Sequence, residues 1–183
     1  MKYIIAALTL VLPSLVFAHS GHDQVSLSVG FSGGFLHPLL GLDHLLALIA
    51  VGVLSVRIES KQKYMIPLSF MALMLVGFFT AHTNMHLISA GTIEMLIIVS
   101  LLAAGLFVVL GHSLLRSGVF KKAAAWIVTG FAAVHGMAHG LEIPAGADAQ
   151  GFALGFAVAG MFIMAVTMVG LANLNKSSMG KTA

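Results

Sequence analysis

Two strings of ligand-type side chains lie inside segments apolar enough to cross a bilayer. The first is H-P-L-L-G-L-D-H, which sets His37, Asp43 and His44 within the run Phe31–Val56. The second is H-G-M-A-H-G-L-E, which sets His135, His139 and Glu142 near the end of another apolar run. An ionised Asp near the bilayer centre costs about 2.5–3.5 kcal/mol on insertion scales, so such groups mark function by default. Imidazole and carboxylate with no cysteine in the chain form the ligand set of a borderline divalent metal ion. Neutral imidazole supplies affinity, and the carboxylates offset the ion's charge.

Spacing places several of these groups on shared faces. His135, His139 and Glu142 follow i, i+4, i+7, one stripe of a helix. His37 and His44 are separated by the same two turns, and His82 and His86 by one. Gly136 and Gly140 border the second stripe and let a neighbouring backbone come close. Pro38 disfavours helix at His37, so an irregular stretch is expected over Gly33–His37, with the helix starting near Pro38. A straight helix rising ~1.5 Å per residue would put His44 roughly 20 Å below the outer start of the span, with His37 about 10 Å above it.

The elements that must position these groups follow from composition. Hydrophobic residues are 59% of the 183 and charged residues 8%, against roughly 25% charged in soluble domains. That leaves no room for a soluble domain. The net charge of +3 comes from positive residues scattered among loops, not the basic face that nucleic acid requires. Residues 1–18 have the anatomy of a cleavable signal peptide: Lys2, an apolar run, then Val16-Phe17-Ala18. Cleavage would leave a short tail over 19–30 with His19 and His22 as weaker metal-attracting groups. Five stretches of about spanning length follow: Phe31–Val56, Met65–His82, Thr92–Gly111, Ala123–Ile143 and Gln150–Leu174. The expected fold is therefore all-α, a bundle of about five transmembrane helices over 31–174 with a tail at 175–183. Barrel strands would alternate, and these runs do not. Gly151, Gly155 and Ala159 form a small-xxx-small packing stripe in the last span.

The basic residues separate cleanly. Arg57, Lys61, Lys63, Arg116, Lys121, Lys122, Lys176 and Lys181 all fall in alternate loops or the C-terminal tail. The positive-inside rule then puts the mature N-terminus outside and the C-terminus in the cytoplasm. In that topology His37, His44, Glu94, His135, His139 and Glu142 converge on the outer side or near mid-membrane. His82 and His86 sit at an outer helix end, where an interfacial histidine is the simpler reading, and His112 lies on the opposite side. Met161, Met164 and Met168 form a stripe better explained by packing than by soft-metal chemistry.

These strings resemble a known group. H-P-L-L-G-L-D-H followed by Leu45-Leu46-Ala47, and F-A-A-V-H-G-M-A-H-G-L-E-I-P over Phe131–Pro144, are similar to the two signatures of the HupE/UreJ family of hydrogenase and urease accessory membrane proteins. Glu94 is similar to that family's third-span acidic position. The resemblance implies a secondary permease of the bacterial inner membrane, moving Ni²⁺ or in some members Co²⁺ as substrate, with no permanently bound cofactor. Its implied ligands are His37, Asp43, His44, Glu94, His135, His139 and Glu142, and its implied partners are the ion, the bilayer and metalloenzyme maturation machinery. Two other classes remain open on the residues alone: an intramembrane enzyme with a catalytic Zn²⁺ or a two-metal site, and a haem carrier with paired axial histidines.

Overall fold

A computed structural model describes residues 30–58, 60–83, 85, 88–110, 118–144 and 146–179, with the side chains of 108–110 and 175–179 left out. The segment expected to be a signal peptide, together with His19, His22, His86 and His112, lies outside the described residues. All regular structure among the described residues is helical: α1 Phe31–Leu40, α2 Leu42–Val56, α3 Gln62–His82, α4 Ala90–Leu110, α5 Gly118–Gly130, α6 Ala132–Glu142 and α7 Ala149–Met179. Three of these are long and apolar enough to cross a membrane by themselves: α3, α4 over Ala90–Phe107, and α7 over Ala149–Leu174. The chain is an all-helical membrane protein.

The first expected span is not one helix. α1 and α2 meet at Gly41 with a bend of 79°. The expected irregular stretch over Gly33–His37 is instead helical, with Pro38 inside α1 and buried. Proline removes only its own amide and disturbs the carbonyl of residue i−4, here Gly34. The break falls after it, at Gly41, whose extended backbone (φ −79°, ψ 107°) ends α1 and starts α2. The fourth expected span is likewise two helices, α5 and α6, meeting at Phe131. There the backbone stays helical (φ −68°, ψ −14°), and the His135 amide still bonds the Phe131 carbonyl at 3.2 Å. α7 continues past Leu174 to Met179.

Small residues set how closely the helices approach. α6 lies on α3 through Gly77, Gly136 and Gly140, where an added Cβ would collide with the carbonyl oxygens of Ala133, Met74 and Phe78. α1 lies on α7 in the same way, through Gly34 against the Phe152 carbonyl and Gly155 against the Phe31 carbonyl. Ala159, the next residue of that stripe, is fully buried. Without a hydrophobic drive between helices in lipid, such backbone contact is what holds a bundle together. Leu48, Val51 and Leu54 of α2, Phe70, Met74 and Phe78 of α3, and Phe152, Phe156 and Met164 of α7 fill the space between. Met164 is thus packing, as its stripe suggested. Arg57, at the end of α2, donates from Nη1 to the Phe107 carbonyl of α4 at 3.0 Å. Burial lowers its pKa, though an arginine keeps its charge.

A side chain at these approaches has nowhere to go. Gly136→Val is expected to cost more than the ~1–3 kcal/mol of ordinary overpacking, because the obstacle is backbone. Gly170→Val, where an added Cβ meets open space, should leave stability unchanged. Thermal unfolding in detergent compares the two, and equal melting temperatures would show that the α3–α6 approach is not rigid.

Candidate metal centre

The bend at Gly41 creates the site. His37 sits in the last turn of α1, and Asp43 and His44 sit in the first turn of α2. The carbonyl end of α1 carries partial negative charge, which favours a cation nearby, and Asp43 offsets the positive end of α2. The two-turn separation of a straight helix, about 10 Å, shrinks to 4.8 Å between the ring centroids of His37 and His44. This corrects the straight-helix expectation, which put the two histidines at different depths. α6 supplies the third ring. His139 lies 4.7 Å from His37 and 4.6 Å from His44, centroid to centroid.

One ligand nitrogen from each of His37, His44 and His139 lies within 4.8 Å of the others. Nitrogens arranged tetrahedrally around one ion at ~2.1 Å are about 3.4 Å apart. The group could hold a metal ion once its ligand atoms draw together by up to about 1.4 Å. His44 and His139 are buried, and His37 is half-buried.

Two of the three histidines have a carboxylate neighbour. Asp43 Oδ2 lies 3.6 Å from His44 Nε2 and is itself buried. Glu142 Oε2 lies 3.5 Å from His139 Nδ1, with the Glu142 side chain about half exposed. Carboxylates beside ligating imidazoles hold ring orientation and raise ligand basicity. Phe156 of α7 walls the cluster, 5.1 Å from His139, 5.9 Å from His37 and 6.3 Å from His44. Phe152 meets His37 edge-on at 5.5 Å and stacks on Phe78 of α3, which stacks in turn on His82. An apolar shell of this kind controls solvent access to the site.

The other residues singled out in the sequence are placed as follows. His135, one turn before His139, is buried with its ring 6.2 Å from His44, beside the cluster and outside the group of three. Glu94, in the first turns of α4, is exposed, and no ion pair joins it to the cluster among the described residues. His82 is half-buried at the end of α3. Sequence reasoning missed Phe152, Phe156 and Gly41. The two phenylalanines look like any other apolar residue of a span, whereas Gly41 stood in plain view inside the first string.

A profile of the HupE / UreJ protein family matches residues 6–182. The chain is also 32% identical over 186 aligned positions to Protein HupE of Rhizobium leguminosarum bv. viciae, covering 99% of this chain and 90% of that protein. No solved structure matches. With both signature strings meeting at one buried cluster and the match running almost end to end, the chain belongs to the HupE/UreJ family.

Proposed function

We propose that this protein is a secondary uptake permease for a divalent transition metal, Ni²⁺ or Co²⁺, in the bacterial inner membrane. The observation that carries this reading is the three-histidine cluster, buried inside a membrane bundle and flanked by two carboxylates. Membership in a family associated with nickel and cobalt uptake for hydrogenase and urease supports the choice of metal. The ion is the substrate. His37, His44 and His139 replace part of its water shell, and Asp43 and Glu142 offset its charge.

Binding must also be weak enough to release on the other side. The exposure of Glu142 and the half-burial of His37 support entry from their side of the cluster, and the positive-inside rule supports that side being the outer one. The membrane potential contributes ~2.3 kcal/mol per charge per 100 mV, hence about 4.6 kcal/mol for a dication. That sustains roughly a thousandfold gradient without a coupled ion, so uniport is physically sufficient.

Cells expressing the protein should accumulate ⁶³Ni above a vector control at limiting metal, with excess Co²⁺ competing and Mg²⁺, which prefers oxygen ligands, not competing. No accumulation while the protein stands in the membrane at normal abundance would reject the permease. Equal competition by Mg²⁺ would reject the imidazole site as its selective element.

A further inference from the structure

His135 is set apart from the three clustered histidines by what it meets on its other side. It faces α4, where Ser100 Oγ lies 3.5 Å from His135 Nδ1. The same Ser100 Oγ donates to the Ile97 carbonyl at 2.7 Å. A serine hydroxyl carries one proton, and a carbonyl oxygen can only accept. That proton is committed to Ile97, so Ser100 offers His135 a lone pair. The matching arrangement has the hydrogen on Nδ1, and a neutral imidazole protonated at Nδ1 has its metal-binding lone pair on Nε2.

The surroundings show where such an orientation matters. Ser100 and His135 border a small pocket that Ala47, Ala104, Phe70 and Phe131 also line. Ala104 is one turn further along α4 than Ser100, and the next turn brings Phe107, whose carbonyl holds Arg57 at the end of α2. The pocket thus starts at His135, beside the cluster, and runs along α4 as far as Ala104, in the direction of the α2–α4 crossing. We propose that Ser100 is a positioning residue that fixes His135 in the Nδ1–H tautomer, so that His135 takes the ion inward from the three-histidine cluster through Nε2. This rests on the uptake reading. Ser100 does not touch the ion; it acts through the ring of His135, as hydrogen-bond partners of metal-ligating histidines generally do.

The test uses the full chain purified in detergent with ¹⁵N-labelled histidine. His135 is identified by the resonance lost in His135→Gln. The metal-free wild type should show His135 protonated at Nδ1. Ser100→Ala should shift it toward the Nε2–H form, and Ser100→Thr, which keeps the hydroxyl, should restore the original spectrum. In parallel, Ser100→Ala should lower the maximal ⁶³Ni uptake rate on the order of tenfold, the low end for losing an outer hydrogen-bond partner. Equilibrium Ni²⁺ binding to the purified protein should stay at the wild-type value, because the three-histidine cluster is intact. An Nε2–H tautomer in the wild type would overturn the assignment. So would an unchanged tautomer and rate in Ser100→Ala, or an equal loss of rate in Ser100→Thr. A wild type that neither binds nor takes up Ni²⁺ would remove the uptake reading and the inward step with it. The spectrum of the metal-free protein would still decide the hydrogen bond.

Discussion

His44→Ala and His139→Ala are each expected to abolish uptake at limiting metal, leaving the protein in the membrane at wild-type abundance. Each change takes one of three convergent nitrogens and leaves two. The loss should exceed the ~10–100-fold typical of removing an outer partner of a ligand, which is the range expected for Asp43→Asn. His139 is flanked by Gly136 and Gly140 of the α3–α6 approach, so normal membrane abundance is the control that the fold survives its loss. His44→Gln, closer in size and still polar, guards against a cavity effect. Uptake kinetics over a range of metal concentrations, normalised to membrane abundance, make the comparison. Near-wild-type uptake in both alanine variants would show that the ion does not pass through the cluster. Asp43→Asn losing as much as His44→Ala would instead make Asp43 a direct ligand.

Much of the bundle was legible because in lipid the apolar run is itself the element: a continuous stretch of spanning length has no alternative to helix. The small-residue stripes were legible for a related reason. Gly151, Gly155 and Ala159, and Gly136 with Gly140, announce close approach wherever they sit on a span, and the structure puts α1 and α3 against them. The break in the first span was misplaced. Pro38 drew attention to residues before it, yet helix persists through Pro38 and stops at Gly41. A linear rise cannot anticipate a 79° bend, and that bend is what turns a two-turn separation into a contact.

The two strings showed ligand-type residues but not how they would be arranged. On α6 the i, i+4, i+7 stripe sends His139 to the cluster and to Glu142, while His135 meets Ser100 on α4. Which side of a stripe meets which neighbour depends on tertiary packing, and no spacing within one helix contains it. Phe156 illustrates the same limit. Its ring touches all three histidines, yet its neighbours in sequence make it one apolar residue among many. Asp43 and Glu142 differ in burial although both adjoin a clustered histidine, a difference that their positions in the two strings do not reveal.

Gly41→Ala is the smallest change with a large expected effect. The backbone at Gly41 is extended, φ −79° and ψ 107°, a region open to any L-residue, so the break itself tolerates alanine. The new methyl is the difficulty. It would lie 2.6 Å from Cδ2 of the His44 ring, 3.2 Å from the His37 carbonyl oxygen and 3.3 Å from Asp43 Oδ1. A ring can rotate more cheaply than two helices can part, so the structure yields by turning His44 away from His37 and His139. Misplacing a reacting group by about 1 Å can cost on the order of a hundredfold, and a similar loss of uptake is expected at unchanged membrane abundance. The double variant Gly41→Ala with His44→Ala separates the causes through the non-additivity of neighbouring sites. With no ring to displace, the double variant should match His44→Ala in membrane abundance and in melting temperature. If it melts well below His44→Ala, or disappears from the membrane, then Gly41 is needed for the α1–α2 break itself rather than for room beside the His44 ring.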